Sequence, residues 1–299
     1  MFTGCGTAIV TPFRQDGSLD EPALRLLVRR QIDAGIDFLV PCGTTGENPT
    51  LTRAEHLRVV QITVAEAGGK TPVLAGAGGY NTAEVIDLAR EVQDLGAGGL
   101  LSVTPYYNKP TQEGLYQHYR ALAAAVRLPI IVYSVQGRTG VNVEPATLAR
   151  LAEIPNIVGV KEASGNVGQQ ANVLRVAPSD FLVLSGDDAL ALPLIALGGK
   201  GVISVVSNQI PAEMTRLVRS ALAGDFATAR ALQMKYLPLM DVNFVESNPI
   251  PVKWAMAQMG LLEPVWRLPL VAPQAASRQK IESVLIEAGL LAQRGAHVA

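Results

Sequence analysis

The chain has 299 residues, enough for one large domain or two ordinary ones, and a hydrophobic content of 48% that can fill a sizeable core. A formal net charge of -1 leaves no electrostatic footprint for nucleic acid or an anionic membrane, which argues against both as partners. Charged residues at 17% fall below the ~25% usual for globular chains, so part of the surface is expected to be covered between subunits.

The first residues, Met1-Phe2-Thr3-Gly4-Cys5, lack the positive region and apolar run of a signal peptide, and no later stretch is apolar for long enough to span a bilayer. A cytoplasmic protein is expected. Short runs rich in Val, Ile and Leu then recur at residues 6–10, 38–41, 73–75, 99–103, 130–133, 157–161, 181–184 and 201–204. A run that is apolar at successive positions is buried on both faces, as in a parallel sheet, and each interval can hold one helix. Eight such units predict an α/β fold, a (β/α)8 TIM barrel, with a doubly wound open sheet as the alternative. Helix starts are marked by Thr52 with Glu55, and by Asn81 or Thr82 near Glu84, side chains able to cap free N–H groups. After residues 210–222 the strand signals stop, and 226–240, 251–259 and 274–291 read as helices. The expected division is a barrel over 1–224 and a small C-terminal helical domain over 225–299, whose helices are expected to pack between subunits.

In such a barrel the reacting groups sit where the strands end, because the loops on that face vary without disturbing the packed interior. Those ends carry Thr44-Thr45, Tyr106-Tyr107, Tyr133, Lys161 and Ser185-Gly186. Lys161 closes an apolar run, so burial should lower its pKa from about 10.4 toward about 7, a change of roughly 4 to 5 kcal/mol that yields an amine able to attack a carbonyl. The alternative is an ion pair with Glu162, although strand alternation points Glu162 the other way. Tyr133 is either a proton relay or a buried phenol with a satisfied hydroxyl. The segment Gly43-Thr44-Thr45-Gly46-Glu47 is either a cradle of N–H and hydroxyl groups for one carboxylate or a plain turn. Arg138 offers a planar fork for a second carboxylate, or is simply solvated. Tyr106-Tyr107 read equally as interface aromatics.

Several patterns point away from other chemistries. Gly76-Ala77-Gly78-Gly79 lacks the full dinucleotide fingerprint, and no Gly-x-Ser-x-Gly elbow is present. His56, His118 and His297 have no ligand spacing, and Cys5 and Cys42 have neither metal-site spacing nor disulfide density. No metal and no cofactor are expected, and both cysteines are expected as buried thiols.

Four motifs go further: Gly6-Thr7-Ala8 with Thr11-Pro12-Phe13, Gly43-Thr44-Thr45-Gly46-Glu47, Thr104-Pro105-Tyr106-Tyr107-Asn108-Lys109-Pro110, and Gly159-Val160-Lys161-Glu162-Ala163-Ser164-Gly165. Together they resemble the pyruvate-dependent class I aldolase family that includes dihydrodipicolinate synthase and N-acetylneuraminate lyase, over essentially the whole chain. Arg138-Thr139-Gly140 and Asn248-Pro249-Ile250-Pro251-Val252-Lys253 look like the dihydrodipicolinate synthase branch. The resemblance implies condensation of pyruvate with L-aspartate 4-semialdehyde to 4-hydroxy-tetrahydrodipicolinate, on the route to diaminopimelate and lysine. It implies that Lys161 forms an imine with pyruvate, that Tyr133, Thr44 and Tyr107 relay protons, and that Thr45, Arg138, Gly186 and Ile203 bind substrate. It further implies a homotetramer of two tight dimers, with Tyr107 reaching the neighbouring site.

Two departures matter. Ser134-Val135-Gln136-Gly137 replaces the branch's usual Asn-Val-Pro and small residue, which leaves open the loop geometry around Arg138 and the acceptor aldehyde. At the family's lysine feedback site His56, Glu84 and Tyr106 are retained, whereas Asn48, Arg53 and Tyr80 replace the Ser or Ala, the His and the Asn of inhibited bacterial enzymes; weak or absent lysine inhibition is expected. The competing readings are a 2-keto-3-deoxy sugar acid or N-acetylneuraminate type lyase or dehydratase of the same family, and a non-catalytic keto-acid-binding barrel.

Overall fold

The computed structural model describes residues 2–292; residues 293–299, which include His297 and the end of the expected helical domain, lie outside it. Eight parallel strands form one sheet: β1 (Gly4–Ala8), β2 (Phe38–Val40), β3 (Leu74–Gly76), β4 (Gly99–Val103), β5 (Ile130–Ser134), β6 (Ile157–Glu162), β7 (Leu182–Ser185) and β8 (Gly201–Ser204). They run β2-β1-β8-β7-β6-β5-β4-β3, and the ring closes where Leu39 bridges Val73 in parallel and Leu39 N donates to Pro72 O at 2.9 Å. The fold is a (β/α)8 TIM barrel.

Helices separate the strands: α1 (Glu21–Asp33), α2 (Arg53–Ala67), α3 (Thr82–Asp94), α4 (Gln112–Ala125), the single turn α5 (Gln136–Thr139) followed by α6 (Pro145–Leu151), α7 (Val167–Val176) and α8 (Ala191–Ala196). After β8 come α9 (Pro211–Leu222), α10 (Phe226–Val242), α11 (Ile250–Gln258) and α12 (Ala275–Glu287). The start of α2 is a capping box, with Thr52 Oγ1 accepting from Glu55 N and Glu55 Oε2 accepting from Thr52 N at 2.9 Å. At α3 the cap is Asn81 rather than Thr82, its Oδ1 accepting from Ala83 N. The first strand begins and ends two residues earlier than its apolar run; Ile9 and Val10 remain buried past its end, so apolarity there carries no edge signal.

Side-chain alternation sorts the strand residues into two cores. Phe38, Val40, Leu74, Leu101, Ile131, Tyr133, Leu184 and Ile203 fill the barrel interior, whereas Leu39, Ala75, Leu100, Val132, Val160, Val183 and Val202 face the helices. At the N-terminal end of the barrel the Phe2 ring meets Phe38 edge-on at 5.6 Å and stops the interior. The opposite end holds polar side chains. In the tail, α10 packs along α9, and α12 packs on both α10 and α11, so the expected helices are present and bear on the barrel.

Candidate active site

Sheet register sets one layer of the barrel at the C-terminal end: Val103 pairs with Tyr133, Tyr133 with Lys161, and Lys161 with Leu184. Adjacent strands in register point these side chains into the same interior, and Lys161 Nζ lies 4.2 Å from the Tyr133 ring centroid. Lys161 is only 5% exposed and enters no salt bridge among the described residues. Its neighbour Glu162 points outward, where Oε1 accepts from Gln169 Nε2 at 2.9 Å and from Ser164 N, as alternation requires. The ion-pair alternative for Lys161 is therefore excluded.

Around Lys161 is a cavity of about 120 Å³ lined by Thr44, Thr45, Tyr133, Arg138, Gly186, Asp187, Phe244 and Asn248. Gly186 is required by space: a Cβ there would lie 2.5 Å from Ala163 Cβ and 3.1 Å from Lys161 Cε, inside van der Waals contact. The Thr44-Thr45 turn is held by Gly46 N donating to Gly43 O and Glu47 N donating to Thr44 O, both at 3.1 Å, with Thr11 Oγ1 donating to Gly46 O at 2.7 Å. Neither the Thr44 nor the Thr45 N–H has a protein acceptor among the described residues, so both are free to serve a carboxylate.

The loop carrying Arg138 is well defined despite its departures. Ser134 Oγ accepts from Val143 N at 3.1 Å, and Asn142 exchanges hydrogen bonds with Gln169, which in turn binds Glu162. This network anchors both ends of the loop to the strand that bears Lys161, and Arg138 reaches over the cavity to donate to Asn248 O at 3.1 Å. Asp187 follows Gly186 along the wall; partial burial pushes its carboxyl above the usual range, and Oδ1 accepts from Ala189 N. Its neighbour Asp188 is fully buried, pushed up to about 6 by desolvation, and Oδ2 accepts from Val205 N and Val206 N.

Two expected residues stand apart from this cavity. Ile203 is buried in the interior core with Tyr133 and Leu184 and is not among the residues that line the cavity. Tyr107 is 91% exposed at a left-handed φ of 67° and is not among the residues that line the cavity of its own chain. Of the six residues of the expected feedback site, two line a neighbouring cavity. Asn48 and Tyr106 line a second cavity of about 220 Å³ that shares Thr44, Tyr133 and Arg138 with the first. Asn48 Oδ1 and His56 Nδ1 lie 2.8 Å apart, and Tyr80 meets Tyr106 edge-on at 5.2 Å. Arg53 pairs with Glu91 at 3.0 Å, and Glu84 accepts from Asn81.

Sequence reasoning missed what the tail contributes. It was expected only to pack between subunits, yet Phe244 and Asn248 line the Lys161 cavity, Asn248 Nδ2 donates to Thr45 Oγ1 at 2.9 Å, and Lys253 pairs with Glu47. The signal was present in Asn248-Pro249-Ile250-Pro251-Val252-Lys253, where a polar residue opens and a lysine interrupts an apolar helix. Among the described residues no group of three or more His, Cys, Asp or Glu side chains is placed to hold a metal ion, and no helix is long and apolar enough to cross a membrane.

The family model described as the dihydrodipicolinate synthetase family matches residues 1–288. A 4-hydroxy-tetrahydrodipicolinate synthase of Koribacter versatilis is 55% identical over 289 residues, covering 96% of each chain. The enzyme of the same name from Syntrophus aciditrophicus is 52% identical over 291 residues, covering 97% of this chain and all of its own. Among solved structures, dihydrodipicolinate synthase from Acinetobacter baumannii complexed with pyruvate superposes with a TM-score of 0.96 at 45% identity, covering 97% of this chain and 100% of that one. With a family match over nearly its full length and relatives above half identity, this chain belongs to the dihydrodipicolinate synthetase family.

Proposed function

We propose that this chain condenses pyruvate with L-aspartate 4-semialdehyde to give 4-hydroxy-tetrahydrodipicolinate through an imine on Lys161, in diaminopimelate and lysine biosynthesis. The observation that carries the reading is an amine without an ionic partner, buried inside a barrel whose mouth combines free backbone N–H groups, two threonines, a tyrosine and an arginine. The name shared by the relatives and the pyruvate bound by the Acinetobacter baumannii enzyme support the same chemistry.

The Lys161 Nζ lone pair attacks C2 of pyruvate, and loss of water from the carbinolamine leaves the imine. The Thr44-Thr45 turn holds the pyruvate carboxylate. Removal of a C3 proton gives an enamine, whose C3 attacks the aldehyde carbon while the new alkoxide takes up a proton. The amine of the acceptor then adds to C2 and expels Lys161, closing the ring. One water and one proton are released overall. Tyr133 and Thr44 carry protons between these intermediates, joined by Tyr107 from a second subunit, and Arg138 holds the acceptor carboxylate. The chemistry needs no metal or cofactor, since the imine nitrogen is the electron sink. A cytoplasmic homotetramer built from two tight dimers is the assembly proposed with it.

Borohydride reduction in the presence of pyruvate, followed by peptide mass spectrometry, tests the reading. The expected result is a pyruvate adduct on Lys161, absent from Lys161→Ala, together with turnover of aspartate semialdehyde. An adduct without turnover would reject the acceptor, and no adduct would reject the imine.

A further inference from the structure

Asn248 joins the two halves of the proposed site. It is 5% exposed, lies between α10 and α11, and faces the Lys161 cavity. Its Nδ2 donates to Thr45 Oγ1 at 2.9 Å, beside the turn assigned to pyruvate, and its backbone carbonyl accepts from Arg138 at 3.1 Å, the group assigned to the acceptor carboxylate. Its Oδ1 is buried without a hydrogen-bond partner. A buried amide oxygen left unpaired is costly, so on a residue that lines the cavity it is a place where a bound molecule can supply the missing donor.

We propose that Asn248 Oδ1 recognises the α-ammonium group of the acceptor aldehyde, making Asn248 a specificity-determining residue. The inference rests on the proposed condensation. In an α-amino acid the ammonium and carboxylate sit on adjacent carbons, so the groups that bind them must also be adjacent; Arg138 and Asn248 touch directly. Asp187 adds a carboxylate to the same cavity, so the lining beside Asn248 contains a second acceptor suited to a cation rather than to another anion. The amide orientation also fits. With Nδ2 turned to Thr45, the Thr45 hydroxyl proton stays available for the pyruvate carboxylate, whereas the flipped amide would consume it.

An acceptor site built for an N–H rejects an analogue that lacks one, because its oxygen is then left unpaired. Succinic semialdehyde, which keeps the aldehyde and carboxylate but has no amine, is the probe. Its inhibition constant against aspartate semialdehyde, compared with the KM of the latter, gives a discrimination ratio for each protein. The wild type is expected to favour the amino substrate, Asn248→Leu to lose on the order of tenfold to a hundredfold of that ratio, and Asn248→Asp, which keeps an acceptor, to retain it. A wild type that binds the two compounds equally would overturn the proposal whatever the variants do. So would Asn248→Leu with slower turnover but an unchanged ratio, which is the mark of a purely structural role. Borohydride trapping of pyruvate on the same proteins keeps the underlying reading separate, because failure there is failure of the imine and not of acceptor recognition.

Discussion

The Glu47 carboxylate and the Lys253 ammonium meet at 2.5 Å with both side chains fully buried, and through this pair α11 holds the turn that presents Thr44 and Thr45. Desolvation pulls Lys253 below the ordinary lysine range while Glu47 opposes the shift. The Phe13 ring lies 4.4 Å from Lys253 Nζ and 4.2 Å from the Arg267 guanidinium, and Arg267 also binds Gly17 O, Thr50 O and Glu55. Breaking a buried pair leaves an uncompensated charge, so Lys253→Met is expected to destabilise the fold by about 3 to 5 kcal/mol in denaturant unfolding. It should also raise the KM for pyruvate as the turn loosens. The Glu47→Gln and Lys253→Met double variant is expected to recover much of the stability, since no charge is then stranded; a double variant as unstable as the single one would show that packing, not charge, dominates.

Gly186 tests how tightly Lys161 is aimed. Alanine there would intrude on Ala163 Cβ and Lys161 Cε, and the lysine is the part able to move. Misplacement of a reacting group by about 1 Å costs on the order of a hundredfold in rate. Gly186→Ala is therefore expected to retain a native circular dichroism spectrum and to form the pyruvate adduct at least a hundredfold more slowly in single-turnover trapping. Unchanged trapping would mean that the wall relaxes instead.

Much of this site was legible in the sequence because parallel strands of a barrel convert order along the chain into position around a ring. Once β5 and β6 were placed, alternation sufficed to put Tyr133 and Lys161 inside and Glu162 outside. Contacts made across the whole chain were not legible. Asn248 reaches Thr45 over a separation of 203 residues, and Lys253 reaches Glu47 over 206; no local period encodes either. Ile203 was expected at the substrate from resemblance alone; its side chain packs in the interior core with Tyr133 and Leu184, where an apolar residue gives no local sign of whether it also meets a ligand.

His118 gives the fold an acid-sensitive term. Burial pushes its imidazole down to about 4, its Nδ1 lies 2.9 Å from Thr82 Oγ1, and its Nε2 has no partner. The unfolded chain takes up the proton near pH 6.5, so between there and about pH 4 it binds more protons than the folded one. This contribution is fully present above pH 6.5 and is lost as pH falls through that window, by on the order of 2 kcal/mol at pH 5. His56, lowered to about 4 by desolvation first and Arg53 second, adds in the same direction. Denaturant unfolding from pH 7 to pH 5 should show a shallower loss in His118→Gln than in the wild type. Parallel curves would remove His118 from the account.

The rim around His56 bears on feedback by lysine. Asn48 already occupies His56 Nδ1, and Arg53, paired with Glu91, brings a guanidinium to the set of residues that the resemblance assigns to lysine, a group that repels an ammonium. We propose that L-lysine inhibits this chain weakly or not at all. An initial-rate titration is expected to stay flat through sub-millimolar lysine, and Arg53→His is expected to increase sensitivity; strong inhibition of the wild type in that range would reject the argument.

Tyr107 poses the question of how many chains make one site. Its ring is exposed to solvent on a loop where Asn108 Nδ2 donates to Tyr80 O at 3.0 Å, and an exposed aromatic at a left-handed φ is suited to insertion into a second copy. If the second copy completes the relay, Lys161→Ala and Tyr107→Phe damage different sites of a mixed dimer. The site that keeps Lys161 then receives an intact Tyr107 from the subunit that lacks the lysine. Mixing the two weakly active variants after dissociation and reassociation is accordingly expected to raise turnover well above the average of the separate proteins. Activity equal to that average, with subunit exchange verified by native mass spectrometry, would place the whole relay within one chain and leave Tyr133 and Thr44 to carry it.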